Sequence, residues 1–174
     1  MRSPIRKIAF AAVIAAVYAA LTMLLAPISY GVLQFRISEA LCILPFFFPV
    51  SVWGLFVGCA IANTISLLGP VDIVCGSAAT LLAALCTAYI GKRSKSVPAC
   101  ILGCLPPVVF NGIIIGAMLA VITAPEGGFW AGLLAFGGQV ALEELAVMLV
   151  IGLPVMLWMR KNRAFTDMIE KLRD

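Results

Sequence analysis

The chain has 174 residues, 63% of them hydrophobic and 11% charged, with a formal net charge of +4. Soluble domains carry about 25% charged residues, so a soluble domain is excluded in favour of a polytopic membrane protein, and no nucleic-acid partner is expected. Histidine is absent, which removes the commonest general base and metal ligand, and no Walker A pattern marks an ATPase.

Arg2, Arg6 and Lys7 form a basic flank that leads into a full-length span, read as retained rather than as a removable leader. The first helix is predicted from Ile8 to Ala26 and ends before Pro27. It carries two stripes of small residues, Ala11, Ala15 and Ala19 beside Ala12, Ala16 and Ala20. Spacing by four aligns each stripe along one face and lets another helix approach closely. Either stripe could pack inside the chain or dock on another membrane subunit.

A loop, Pro27 to Ala40, feeds a short second helix from Ser38 to Phe48 that is interrupted by Pro45. Ser38 is a candidate N-cap, and Glu39 suits the positive end of the helix dipole. Arg36 has no such structural excuse; it is the one basic residue between Lys7 and Lys92. A third helix is predicted from Ser51 to Leu68 with Asn63 near its far end, then a turn at Gly69-Pro70-Val71-Asp72. The fourth runs from Ile73 to Ile90 and precedes the basic loop holding Lys92, Arg93 and Lys95. The fifth extends from Val97 to Thr123 with Pro106, Pro107 and Asn111 within it. After a turn at Pro125-Glu126-Gly127-Gly128, residues Phe129 to Phe136 are predicted as a short interfacial helix, and the sixth span as Gly138 to Met159. Lys and Arg cluster before the first span, after the fourth and after the sixth, so six spans with both termini in the cytoplasm are expected.

The sixth span carries Gln139, Glu143 and Glu144. A carboxylate at membrane depth costs at least about 2.5–3.5 kcal/mol and by default marks a functional site. Gln139 and Glu143 share a face, and Glu144 lies about 100° away. Counting rise per residue places Glu143 roughly 8 Å from the outer end, with Asn111 roughly 21 Å and Asn63 about 18 Å up from the inner side. Arg36, Glu39, Asp72 and Glu126 fall at the outer mouth. One helix-six glutamate, Glu143 in the first instance, is expected to face a cavity while the other pairs sideways, with Arg36 a candidate partner. Such a pocket of carboxylates and amides fits a planar ligand edge with two parallel N–H donors, as in guanine. Tyr18, Tyr30, Phe35, Phe110, Phe129, Trp130 and Phe136 could supply stacking. The six cysteines hold no C-x-x-C pair; Cys100 and Cys104, one turn apart, are read as core residues rather than a soft-metal site.

Several runs resemble the QueT family: Leu25-Ala26-Pro27-Ile28-Ser29-Tyr30-Gly31, Gln34-Phe35-Arg36-Ile37-Ser38-Glu39-Ala40-Leu41, Gly54-Leu55-Phe56-Val57-Gly58-Cys59 with Ala62-Asn63, Asp72-Ile73-Val74, and Leu105-Pro106-Pro107-Val108-Val109-Phe110-Asn111. The resemblance implies an all-α, six-helix S component of an energy-coupling-factor transporter in the bacterial plasma membrane, binding queuine or another 7-deazaguanine from outside. It implies a transmembrane coupling subunit and two cytoplasmic ATPases as partners, with helix one docking through Ala12 and Ala16 or Ala11 and Ala15. No catalytic residue, cofactor or metal is expected. Substrate contacts are expected among Glu143, Gln139, Glu144, Asn111, Arg36, Glu39, Asn63, Asp72 and Phe35. An S component for another vitamin-like molecule is the alternative, and a proton-coupled secondary carrier a further one, although no internal repeat is evident. An intramembrane enzyme using paired carboxylates would need a nucleophile or metal cluster, and none stands out.

Overall fold

A computed structural model describes residues 3–29, 35–123, 128–162 and 165. The expectations for Tyr30 to Gln34, for Glu126 and for the charged tail beyond residue 165 lie outside them. Among the described residues there is no strand. The α-helices are α1 (Ser3–Leu24), α2 (Ala26–Ser29), α3 (Ser51–Ala62), α4 (Pro70–Arg93), α5 (Val97–Gly103), α6 (Leu105–Thr123), α7 (Gly128–Val147) and α8 (Leu153–Lys161). Two 3₁₀ segments, Ile37–Phe46 and Asn63–Ile65, flank α3, and a π-helical segment, Met148–Gly152, joins α7 to α8. Among the described residues, four continuous stretches are long and apolar enough to cross a membrane: Pro4–Leu24, Pro70–Arg93, Val97–Thr123 and Gly128–Lys161. The apolar helices Ile37–Phe46 and Ser51–Ile65 are shorter than a spanning helix.

Proline explains where the long helices deviate from regularity. The predicted fifth helix is two pieces that meet at a turn on Cys104. Pro106 and Pro107 have no N–H to give the carbonyls of Leu102 and Gly103. The Gly103 carbonyl instead accepts from the buried Thr87 hydroxyl of α4 at 3.1 Å. The 3₁₀ helix holds Pro45 and runs for ten residues, long for a form seldom sustained beyond 3–4 residues. Ser38 is not its N-cap, as its spacing suggested. Arg36 holds that position, and Ser38 sits inside the first turn with its Oγ 2.6 Å from Thr22 Oγ1 of α1.

The separate interfacial helix expected over Phe129 to Phe136 is the start of α7 itself. Gly137 and Gly138 do not break that helix. Gly137 is a point of close approach, because a Cβ on Gly116 would lie 2.4 Å from the Gly137 Cα, and one on Gly137 would lie 2.7 Å from the Gly112 carbonyl oxygen. A glycine in a helix costs about 1 kcal/mol relative to alanine, and here backbone-to-backbone contact between α6 and α7 offsets it. Moving the start of α7 back to Gly128 puts Glu143 about 22 Å along the helix instead of roughly 8 Å.

The path of the chain follows from contacts at the two ends of the bundle. Arg36, ahead of the 3₁₀ helix, meets Asp72 in the first turn of α4. At the far end of both elements, the Lys95 ammonium donates to the Phe46 carbonyl, and a Cβ on Gly91 would lie 2.1 Å from that same oxygen. The 3₁₀ helix therefore runs beside α4 for nearly its whole length. Helix α3 returns: Gly54 and Gly58 sit on the backbone of Ala11 and Ala15 in α1, and the Asn63 amide donates to the Asp72 carbonyl at 3.0 Å. Around Phe46, Phe47 and Phe48 a core forms with Tyr18, Leu55, Cys100, Cys104, Met148 and Met156. Valines, leucines and isoleucines such as Val13, Val74, Leu85, Ile113 and Val150 point outward from the bundle, where hydrocarbon is the matching solvent.

The two alanine stripes of α1 separate cleanly. Ala15 and Ala19 are buried and Ala11 half-buried, in the seam with α3, whereas Ala12, Ala16 and Ala20 are exposed. Ala11 and Ala15 are thus used inside the chain, because Gly54 and Gly58 bring the two helices into backbone contact there.

Overpacking a close approach costs about 1–3 kcal/mol. Gly91→Ala drives a methyl group into the Phe46 carbonyl and is expected to lower the thermal midpoint in detergent by several degrees. Gly138→Ala, where nothing lies within 4 Å of the added atom, is expected to leave it unchanged or raise it, because alanine relieves the cost of a glycine inside α7. Equal midpoints for the two variants would show that the 3₁₀ helix does not press on α4.

Candidate binding site

The site is built around Glu39, only 1% exposed, one turn into the 3₁₀ helix. Three neighbours from three elements hold its carboxylate. The Tyr18 hydroxyl of α1 donates to Oε1, the Cys42 thiol donates to Oε2 at 3.0 Å, and the Thr80 hydroxyl of α4 lies 3.5 Å from Oε1. Thr80 also touches Cys59 Sγ at 3.4 Å, which brings α3 into the network. A carboxylate that accepts several such bonds is fixed in place. Glu39 lies in the first turn of its helix, as the dipole reading expects, and its carboxylate has a tertiary role besides.

Beside it, Arg36 forms an ion pair with Asp72, Nη2 to Oδ2 at 3.3 Å, with side chains 9% and 1% exposed. Sequence reading had offered Arg36 to a helix-six glutamate; Asp72 takes it because the positive φ of Gly69 and the following Pro70 start α4 beside the entry to the 3₁₀ helix. Asp72 also sits in the first turn of α4, where the helix dipole favours a negative charge. Asn63 is fully buried against it through the Asp72 carbonyl.

Arg36, Glu39, Asn111, Ile115, Val140 and Glu144 line one cavity of about 20 Å³. Asn111 and Ile115 come from α6, and Val140 and Glu144 from α7. Among the polar atoms there, Asn111 Nδ2 and Glu144 Oε1 are buried without a hydrogen-bond partner. A buried group left in that condition costs about 1–3 kcal/mol, and in a native fold such a group calls for a functional explanation. The cavity has room for one water-sized group, which needs about 10–15 Å³, so a bicyclic ligand requires its walls to part.

Glu143 is not among the lining residues. It is buried, and its Oε1 accepts from the Gln139 amide at 3.0 Å, the two side chains pairing along their own helix. The preference for Glu143 over Glu144 thus reverses in placement: the shared face of Gln139 and Glu143 is turned from the cavity and Glu144 is turned toward it. Phe35, half-buried, is not a lining residue, and neither are Asn63 and Asp72, which lie one contact behind Arg36. None of the aromatic candidates among the described residues lines the cavity; Phe129 and Trp130 pack edge to face on each other, with Trp130 exposed. Ile115 and Val140 were missed, since an aliphatic wall residue has no signature apart from its place. Tyr18, Cys42 and Thr80 were missed as holders of Glu39; only the tertiary fold brings them to it.

A larger groove of about 470 Å³ lies between α6 and α7, lined by residues such as Val109, Ile113, Leu134 and Gly138. It offers no polar side chain, so it lacks the convergent donors and acceptors that fix a ligand's orientation. Cys100 and Cys104 are buried thiols, and Cys104 packs 3.8 Å from Met156 Sδ. Among the described residues no group of three or more acidic, cysteine or histidine side chains is placed to hold a metal.

An all-helical bundle with membrane-length apolar helices and a buried polar cavity between them defines a multi-pass membrane protein of the transporter type. A family model described as the QueT transporter matches residues 8–161, and the chain belongs to that family. It is similar to the queuosine precursor transporter QueT of Lactococcus lactis subsp. cremoris (strain MG1363), 41% identical over 73 residues. That alignment spans 41% of this chain and 43% of the relative. No solved structure matches. As a member of a transporter family with several membrane-length helices, the protein resides in the plasma membrane.

Removing one partner of a buried ion pair costs about 3–5 kcal/mol, because the other charge is left uncompensated. Arg36 shares its surroundings with Asp72, Glu39 and Glu144, so Arg36→Gln is expected to destabilise more than Asp72→Asn, and the double variant less than Arg36→Gln alone. Thermal unfolding of the four proteins in one detergent checks the order.

Proposed function

We propose that this chain is the membrane-embedded substrate-binding component of an energy-coupling-factor importer, and that it captures a 7-deazaguanine precursor of queuosine from outside the cell. The observation that carries the reading is the pair of unpartnered buried atoms in one cavity, Glu144 Oε1 and Asn111 Nδ2. A guanine-like edge offers two parallel N–H donors to the carboxylate, and its carbonyl accepts from the amide. Ile115 and Val140 are the apolar walls against which the ring plane would lie. The name of the Lactococcus relative supports the substrate class.

Six passes with both termini in the cytoplasm complete the reading. Its support is the path of the 3₁₀ helix from Asp72 to Gly91 and the return of α3 to Asn63. Lys92, Arg93, Lys95, Arg160 and Lys161 collect at one end, where the Arg160 guanidinium donates to the Lys95 carbonyl at 3.3 Å. That is the distribution expected of a cytoplasmic face. The cavity lies toward the other end, near the start of α4. Uptake would need a coupling subunit and two ATPases, and the exposed Ala12, Ala16 and Ala20 stripe is the face of α1 open to such a subunit.

Two measurements test this. Charge-assisted hydrogen bonds contribute about 1.5–3 kcal/mol, so Glu144→Gln is expected to weaken calorimetric binding of queuine, or of its aminomethyl precursor, at least tenfold, and Glu143→Gln to weaken it less. The reverse order would place Glu143 in the cavity, and no heat from a folded sample with either ligand would end the substrate assignment. Ala12→Leu with Ala16→Leu is expected to preserve ligand binding and to abolish co-purification with the coupling subunit; normal yield of the complex would show that this face is not the docking surface.

A further inference from the structure

We propose that the cavity selects for positive charge: among 7-deazaguanines of similar size, those whose substituent at position 7 ends in an ammonium bind in preference to neutral ones, and Glu39 is the residue that makes the selection. This deepens the reading above and rests on it.

The argument is a balance of charges. Five ionisable side chains are gathered here at 9% exposure or less: Arg36, Asp72, Glu39, Glu143 and Glu144. One is a cation and four are carboxylic acids. Arg36 is held to Asp72 at 3.3 Å and also lines the cavity with Glu39 and Glu144, so one positive charge is shared among several carboxyl groups. The other acids are met by neutral donors. Glu39 has the Tyr18 hydroxyl and the Cys42 thiol, and Glu143 has the Gln139 amide. Neutral donors hold a carboxylate in place but leave its charge uncancelled. Glu144 Oε1 makes no direct hydrogen bond, and the neutral Asn111 amide lies beside it.

The remaining basic groups among the described residues are remote. Arg6 and Lys7 lie in the first turns of α1, Lys92 and Arg93 in the last turn of α4, Lys95 just after it, and Arg160 and Lys161 at the end of α8. Asp72 marks the opposite end of α4, and the cavity is with Asp72.

Negative charge buried without a counter-charge is costly. It is relieved either by protons or by a cation that arrives with the ligand. A guanine-like edge brings donors but no net charge, so reading the edge leaves the imbalance in place. An ammonium on the same molecule removes part of it, and in a low-dielectric site the attraction is stronger than in water. The two cavity carboxylates differ in fitness for the two tasks. Glu144, with an open oxygen beside the open amide of Asn111, suits the edge. Glu39, clamped from α1 and from its own helix, is a fixed negative point on the opposite wall and suits the ammonium.

Calorimetry on the full chain at pH 7 with 7-aminomethyl-, 7-methyl- and 7-cyano-7-deazaguanine tests the proposal. The aminomethyl compound is expected to bind at least tenfold more tightly than either neutral one. Glu39→Gln is expected to shrink that gap to threefold or less by weakening the aminomethyl compound alone, whereas Glu144→Gln weakens all three. Repeating the titrations in buffers of different ionisation heat reads proton uptake, which is expected to be smaller for the aminomethyl compound. Equal affinity for charged and neutral compounds would overturn charge selection while leaving the 7-deazaguanine reading intact, as would neutral compounds that bind equally tightly by taking up a proton. A gap that Glu144→Gln closes and Glu39→Gln does not would overturn the assignment to Glu39. Failure of all three compounds to bind a folded sample would overturn both readings together.

Discussion

Arg36 and Asp72, a guanidinium and a carboxylate 3.3 Å apart in the interior, set the constraint that the rest of that end of the bundle obeys. Neither charge is tolerable alone at that depth. Their pairing ties the entry of the 3₁₀ helix to the start of α4, and the Asn63 bond to the Asp72 carbonyl ties α3 to the same point. Once the entry is fixed, Glu39 falls one turn inward, where Tyr18, Cys42 and Thr80 meet it. A site whose carboxylate is held from three elements has little freedom to misplace it, and such preorganisation is what positions a ligand group tightly.

Small residues supply the second constraint. Hydrocarbon gives no hydrophobic drive for helices to associate, so close van der Waals packing must supply it. Gly54 and Gly58 do so against Ala11 and Ala15, Gly91 against the Phe46 carbonyl, and Gly116 and Gly137 against each other. The contact between α6 and α7 bears directly on the site, because Asn111 and Ile115 stand on one of these helices and Val140 and Glu144 on the other. The π-helical segment just beyond Glu144 belongs to the same region: Pro154 has no N–H to return to Val150, and the helix widens over Met148–Gly152. Single-turn π segments often accompany functional sites.

The cavity is compact, about 20 Å³, and its walls come from the 3₁₀ helix on one side and from α6 and α7 on the other. Admission of a bicyclic base therefore requires these two groups to separate. On the proposed reading, binding is coupled in this way to the packing of the bundle itself, and a ligand that bridges Glu144 to Glu39 would hold the two walls in register.

The all-helical class, the membrane environment and the presence of polar residues within the spans were legible in the chain, since each depends on composition and on runs of apolar residues longer than a helical turn can average away. Arg36, Glu39, Asn111 and Glu144 stand out because an ionisable or amide group among so many apolar neighbours is costly wherever it sits. Which stripe of α1 faces inward, and which of two adjacent glutamates faces the cavity, could not be read that way. Both depend on the rotation of a helix about its axis, and in a helix apolar on all sides the sequence carries no moment to set that rotation. Backbone contacts set it here: Gly54 and Gly58 turn Ala11 and Ala15 inward and leave Ala12 and Ala16 outside, and the Gly112, Gly116 and Gly137 contacts place Glu144 on the cavity wall with Glu143 turned aside to Gln139.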